Sequence, residues 1–327
     1  MLRPPYPCDF PLSIVSLSLV AQFCSWCRWL ASPRGLGSLM SVTSLQDSRL
    51  RIAAIDFLNP APLMWDFEHP PLSTALEERY SMRRMTPSEC AQQLIAGEAD
   101  LGLIPIAALA ANPHLRILPG CTIGSKGHIR SLILVRRASQ PIAQIRSVAA
   151  DTASRTTVTY ARMLFHKWGN AQAPFLPLAA DLDRMLATAD AAIVIGDPAL
   201  LALEDRDARL ARTGEELVYH DMADEWRALT GLPFISAVWC CGARAAASPQ
   251  WNGIVEDCIR SRDNGLAHVE ALVNEWAARL PIPAATIHTY LTRNIHYVLD
   301  QECIDGMKGF FQHATELDIL PAYDMKL

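Results

Sequence analysis

Asn59 stands where an apolar run, Arg51-Ile52-Ala53-Ala54-Ile55, gives way to Asp56-Phe57-Leu58-Asn59-Pro60-Ala61-Pro62. Pro60 disfavours the α region for the residue before it, and Pro62 stiffens the turn. A carboxamide held this way at the carboxyl end of a strand can orient a ligand by donating and accepting hydrogen bonds. It cannot serve as a base. An ordinary Asx turn is the other use of the same residues.

Three more polar clusters fall at expected strand ends. Gly127-His128-Ile129-Arg130-Ser131 opens a strand, and Ser131 there suits either a carboxylate or a backbone partner. Asp151-Thr152-Ala153-Ser154-Arg155-Thr156-Thr157 closes one strand and begins a helix. The unpaired N–H groups and positive dipole end of that helix favour an anion, and Ser154, Thr156 and Thr157 add hydroxyl donors in the same place. Ser154 is alternatively a simple N-cap, and Arg155 can pair either with a ligand or with Asp151. In Ile195-Gly196-Asp197-Pro198, Gly196 permits close approach of a ligand to the backbone, and Asp197 reads by default as a helix N-cap.

These clusters are carried by alternating strand and helix patterns from Leu50 onward, which predict βα units and mostly parallel sheets. Arg51–Ile55, Ser81–Met85, Leu101–Ile104 and Ile129–Arg136 read as strands. Thr86-Pro87-Ser88-Glu89 is a capping box that should open a helix from Pro87 to Ala96, closed by Gly97. A second set follows: strands at 147–150, 174–178 and 191–195, with helices at 155–168 and from Leu182 and Pro198. Phe234–Cys241 reads as a further strand, and segments near 251–262, 264–279, 284–299 and 301–317 read as helices. The expected architecture is two α/β lobes around a cleft with two hinge crossings and a helical C-terminal segment. Residues 49–138 and 239–327 would form the first lobe and 139–238 the second.

The sequence has 327 residues, of which 50% are hydrophobic and 19% charged, enough to build a substantial core. The formal charge of −5 and the lack of a Lys/Arg run argue against a nucleic-acid partner. The nine cysteines fit neither a disulfide framework nor a paired metal knuckle, so a reducing compartment is the simplest reading. Cys24 and Cys27 form an isolated C-x-x-C, and Cys240-Cys241 read as small apolar residues on a buried strand. Residues 1–48 differ in composition from the rest and are expected to be an extension, disordered or belonging to a mis-assigned start, with Met40 an alternative first residue. A signal peptide fits them poorly, since Arg3 alone charges the amino-terminal region and Trp26, Arg28 and Trp29 follow the apolar part.

With the four clusters in this order, the chain resembles the chorismate dehydratases of menaquinone biosynthesis, within the wider type II periplasmic-binding-protein-like fold. The resemblance covers about residues 50 to 320. It rests on Phe57-Leu58-Asn59-Pro60-Ala61-Pro62-Leu63, Gly97-Glu98-Ala99-Asp100-Leu101-Gly102-Leu103-Ile104-Pro105, Ser154-Arg155-Thr156-Thr157, Ile195-Gly196-Asp197-Pro198-Ala199-Leu200, Trp226 with Thr230-Gly231-Leu232-Pro233-Phe234, and the tail Tyr290-Leu291-Thr292-Arg293-Asn294-Ile295-His296-Tyr297. Relatives typically carry Gly-Pro-Val ahead of the serine that Ser131 matches, so His128 is a tempting base at a place where the family needs none.

What the resemblance implies is loss of water from chorismate to give 3-[(1-carboxyvinyl)oxy]benzoate, in the futalosine route, without metal or organic cofactor. Asn59 would orient the substrate as the catalytic amide. Ser131, Ser154, Arg155, Thr156, Thr157, Gly196 and Asp197 would bind it. The implied setting is cytoplasmic, with a small-molecule substrate and no stable membrane association, while the oligomeric state is left open. Two rivals share the fold: a solute-binding protein for a small carboxylate, and the sister 1,4-dihydroxy-6-naphthoate synthase, whose Ser-Pro-Cys-Pro-Asn-Asp type opening is replaced here by Asp56-Phe57-Leu58-Asn59-Pro60.

Overall fold

Eleven strands form two sheets in the computed structural model, which describes residues 48–325. The expectations for the preceding residues, the Cys24/Cys27 pair included, lie outside the described residues. The strands are β1 (Leu50–Ile55), β2 (Tyr80–Met85), β3 (Leu101–Pro105), β4 (Arg116–Ser125), β5 (Leu132–Arg137), β6 (Val148–Asp151), β7 (Phe175–Leu178), β8 (Ala191–Ile195), β9 (Leu217–Asp221), β10 (Phe234–Cys241) and β11 (His296–Leu299). One sheet runs β11-β4-β10-β3-β1-β2 and the other β7-β6-β8-β5-β9. All five residues of β3 and of β8 are buried, as continuous apolar strands covered on both faces must be.

The sheets are mixed rather than mostly parallel. β1 pairs parallel with β2 and β3, and β6 with β7 and β8, whereas β10, β4, β11, β5 and β9 all join antiparallel. β4 and β5 flank one passage of the chain between the sheets and β9 and β10 the other, whereas β11 adds at the edge beside β4. Pairing also moves the crossings. Because β5 is hydrogen-bonded to β8 and β9, the first crossing occupies 126–131 and the second 222–233, both earlier than the 138/139 and 238/239 boundaries expected.

The capping box forms as expected: Glu89 N–H donates to Thr86 Oγ1 at 3.4 Å and Thr86 N–H to Glu89 Oε2 at 2.8 Å, opening the Pro87–Ile95 helix. Gly97 closes it at φ +71. β4 and β9 were not anticipated, and 284–299 is not one helix. It is a helix over Ala284–Thr289, a π-helical turn over Tyr290–Asn294, and β11.

Two features lock the sheets together. Tyr160, Trp226, Phe234 and Phe310 are fully buried, with the Tyr160 ring 3.9 Å from Phe234, 4.8 Å from Trp226 and 4.5 Å from Phe310. Tyr160 Oη also meets both the N–H and the carbonyl of Ile235 at 3.3 Å, fixing the Thr156–Lys167 helix to β10. The second feature is Asp221. It accepts from Ile129 N–H at 3.0 Å and Arg130 N–H at 2.7 Å on the first crossing, and from Ala223 N–H at 3.0 Å at the start of the Met222–Thr230 helix on the second. One half-buried carboxylate therefore pins both crossings, and it holds Arg130 at φ +61, a left-handed conformation that costs an arginine energy.

Candidate active site

A narrow cavity of about 30 Å³ lies between the carboxyl ends of the strands of both sheets. Phe57 and Asn59 line it from the loop after β1, Ser154 to Thr157 from the turn after β6, Gly196 from the end of β8, and Ala237 from β10. Contacts from opposite sheets close around it. Ser88 Oγ donates to the Thr152 carbonyl at 3.0 Å, Ala107 N–H donates to Thr156 Oγ1 at 3.2 Å, and Leu58 N–H donates to Asp197 Oδ1 at 2.9 Å.

The anion end is built from the Thr156–Lys167 helix, whose N-cap position is Arg155. No side chain caps it, so Ser154 is not the simple N-cap that one reading allowed. Ser154 Oγ is buried and without a hydrogen-bond partner. Thr157 is 2% exposed and lines the same wall, and Thr156, although accepting from Ala107, keeps its own O–H to donate. Asp151 does not take Arg155. It accepts from Ala153 N–H at 2.9 Å, and its carboxyl is pushed up by burial despite that bond. The Arg155 carbonyl accepts from Thr159 N–H and Oγ1, both at 3.1 Å, while its guanidinium has no hydrogen bond or ion pair among the described residues and lines the cavity, available to an anion.

Asn59 is 7% exposed and its Oδ1 has no partner. A buried amide oxygen left unpaired is costly, so this one calls for a donor that no protein hydrogen bond supplies. Ser131 was expected at the cavity wall and is not there. It is wholly buried with Oγ unpartnered at the end of the first crossing, and Leu132, where β5 begins, lines the wall instead.

Asp197 corrects a second expectation. The helix it begins, Asp197–Glu204, has Gly196 at the N-cap and no side-chain cap, so Asp197 is the first helical residue and spends Oδ1 on Leu58 of the opposite lobe. Burial pushes its carboxyl up to about 6, against the Leu58 N–H, which lowers it, and with the charge of Asp56, which adds to the rise. Asp197 does not itself line the cavity. Gly196, in front of it, sits at φ +67, and a Cβ there would lie 2.6 Å from the Phe57 ring. Glycine is therefore required twice over, by conformation and by the aromatic ring packed on it.

His128 is excluded as a base by its position. Its side chain, on the first crossing, is 74% exposed and paired with Asp224 on the second. Two groups of potential metal donors, His296/Asp300/Cys303 and His128/Asp221/Asp224, contain no cavity-lining residue, and Lys126 already holds Asp300 at 2.8 Å. Phe57, which lines the cavity, was quoted in the motifs but not chosen as a site residue, and the glycine opposite it was the available signal.

The profile of a family described as menaquinone biosynthesis matches residues 50–316. A chorismate dehydratase of Thermus thermophilus is 27% identical over 255 residues, covering 75% of this chain and 90% of that one. Among solved structures, the alkanesulfonate-binding protein SsuA of Xanthomonas axonopodis pv. citri superposes with a TM-score of 0.58 at 17% identity, over 84% of this chain and 94% of that one. A Candida albicans protein described as having the generic periplasmic binding protein fold gives 0.55 at 12% identity, over 85% and 98%. These last two likenesses establish the fold: two α/β lobes of the periplasmic-binding-protein type.

Proposed function

The chain belongs to the menaquinone-biosynthesis family, and from that premise we propose that it is a hydro-lyase acting on chorismate, yielding 3-[(1-carboxyvinyl)oxy]benzoate and water in the futalosine route. The observation that carries this reading is the convergence, in the lining of one cavity, of the unpaired Arg155 guanidinium, the unpartnered Ser154 hydroxyl, the first turn of a helix, and Asn59 with its amide oxygen unpartnered. A substrate with two carboxylates and a departing hydroxyl uses all of these. No helix among the described residues is long and apolar enough to cross a membrane. The reading implies a cytoplasmic enzyme.

The reaction removes the C3 proton and the C4 hydroxyl of the ring, which becomes aromatic. That proton is vinylogously α to the ring carboxylate, so donors on this carboxylate stabilise the dienolate-like carbanion as it forms. Ser154, Thr156, Thr157 and Arg155 supply them. Asn59 orients the leaving hydroxyl. With His128 on the surface and Asp197 behind Gly196, the base in this scheme is the substrate's own enolpyruvyl carboxylate, held within reach by the closed cleft. The same closure disfavours rearrangement and loss of the enolpyruvyl group.

Incubating the full chain with chorismate, beside an enzyme-free control, and following products by HPLC with mass detection tests the reading. The expected outcome is enzyme-dependent loss of one water with a product co-eluting with authentic 3-[(1-carboxyvinyl)oxy]benzoate. Tight chorismate binding without turnover would replace the enzyme by a carboxylate-binding protein.

A further inference from the structure

Asn59 is a central residue of the four-residue turn Leu58–Ala61, which Ala61 N–H closes by donating to the Leu58 carbonyl at 3.0 Å. The first residue of this turn is tied to the other lobe: Leu58 N–H donates to Asp197 Oδ1 at 2.9 Å across the cleft. Leu58 is wholly buried, so water does not replace that acceptor while the lobes are together. Asn59 has little freedom of its own, since Pro60 keeps it out of the α region. The direction in which its amide leaves the backbone is therefore set by the Leu58 peptide. Asp197 is held in turn. It begins the Asp197–Glu204 helix, Gly196 before it donates its N–H to the Ser131 carbonyl at 2.7 Å, and the Phe57 ring packs on Gly196 beside the bond.

At about 30 Å³ the cavity is far below the roughly 300–1,000 Å³ of small-molecule sites, so a ligand enters only when the lobes stand apart and the bond between Leu58 and Asp197 is open. We propose that Asp197 is a positioning residue for Asn59: by accepting the Leu58 N–H as the lobes meet, it sets the Leu58–Ala61 turn so that the Asn59 carboxamide faces the substrate. This rests on the proposed reading of the cavity. It gives a part in the reaction, without proton transfer, to a buried acid that neither lines the cavity nor caps its own helix. The amide then takes its working place only around an enclosed substrate.

Asp197→Ala removes the acceptor and Asp197→Asn keeps one, while both remove the same charge, so the difference between them isolates the bond. In chorismate turnover, Asp197→Ala should lower kcat about 10- to 100-fold with KM close to that of Asp197→Asn, and Asp197→Asn should keep kcat within about twofold of wild type. Adding Asn59→Ala to Asp197→Ala should lower kcat no further than Asn59→Ala alone. Equal losses in the two Asp197 variants, multiplicative losses in the double variant, or full kcat in Asp197→Ala would overturn the proposal. A second readout needs no turnover. Labelling with carbonyl-¹³C phenylalanine and ¹⁵N leucine marks the Phe-Leu peptides of the chain, at Leu58 and Leu176. The Leu58 amide hydrogen should exchange with solvent at close to the wild-type rate in Asp197→Asn and about tenfold faster or more in Asp197→Ala, with the exposed Leu176 unchanged as the control. Unaltered exchange at Leu58 in Asp197→Ala would sink the idea. A wild-type chain inactive on chorismate would bring down the function, whereas the exchange rates would still decide whether Asp197 holds the turn.

Discussion

Replacing Asp197 with Asn keeps the shape of the side chain and removes its charge, and the structure gives that change a sign and a size. The carboxyl titrates at about 6 rather than the ordinary 3.8, chiefly because burial disfavours its anion. A carboxyl whose pKa is raised on folding binds its proton more tightly in the native state. The stability this brings is complete below the ordinary value and is lost as pH rises through about 6. Relative to a neutral isostere, the wild-type side chain costs about 3 kcal/mol at pH 8, and about 1 kcal/mol at pH 4.5, where the native carboxyl is almost wholly protonated. The amide oxygen of Asp197→Asn can still accept from Leu58 N–H, so that bond is retained. The variant should therefore melt about 5 °C higher than wild type at pH 8 and about 2 °C higher at pH 4.5. Scanning fluorimetry at the two pH values reads this directly. Equal shifts at both, or a loss of stability at pH 8, would refute the reasoning that burial sets the ionisation of Asp197. Turnover gives the second half of the test. With the substrate as its own base, kcat at pH 8 changes little and KM for the dianionic substrate falls, whereas a drop of about 10²–10⁴-fold would assign proton transfer to Asp197.

Ser154→Ala removes a hydroxyl with no partner in the folded chain, so its melting temperature should hold while calorimetry finds chorismate bound about 10- to 100-fold more weakly, the worth of a hydrogen bond to a charged group. Asp221→Ala strands the N–H groups of Ile129 and Arg130 and uncaps the Met222–Thr230 helix, and urea unfolding should register a loss of about 2–4 kcal/mol. Gly196→Ala should be destabilised by about 2 kcal/mol or more and lose chorismate affinity. Adding Phe57→Ala should recover the part due to the ring contact and not the part due to φ +67.

The sequence by itself determined the local features whose physics is local. The Thr86/Glu89 capping box, the Gly97 stop, the wholly buried β8 and the donor-rich start of the Thr156–Lys167 helix follow from residue types within a few positions of one another. Ordered along the chain, they were sufficient to indicate the lobes and to bring Asn59, Ser154, Arg155, Thr156, Thr157 and Gly196 to one cavity. What only the tertiary structure decided depends on partners far apart in sequence. β4 and β9 are strands because the sheets supply their neighbours. β11 interrupts a helical pattern because β4 offers an unpaired edge there, and backbone hydrogen bonds to an edge outweigh a weak helix preference. Asp197 looked like a cap because Gly-Asp-Pro usually makes one. It is instead a cross-lobe acceptor, since Leu58, 139 residues earlier, presents an N–H within reach. Ser131, one residue before β5, is buried off the cavity lining, and the π-helical turn Tyr290–Asn294, which no periodicity reveals, is docked on the first crossing by Asn294 Nδ2 donating to the His128 carbonyl, 166 residues away.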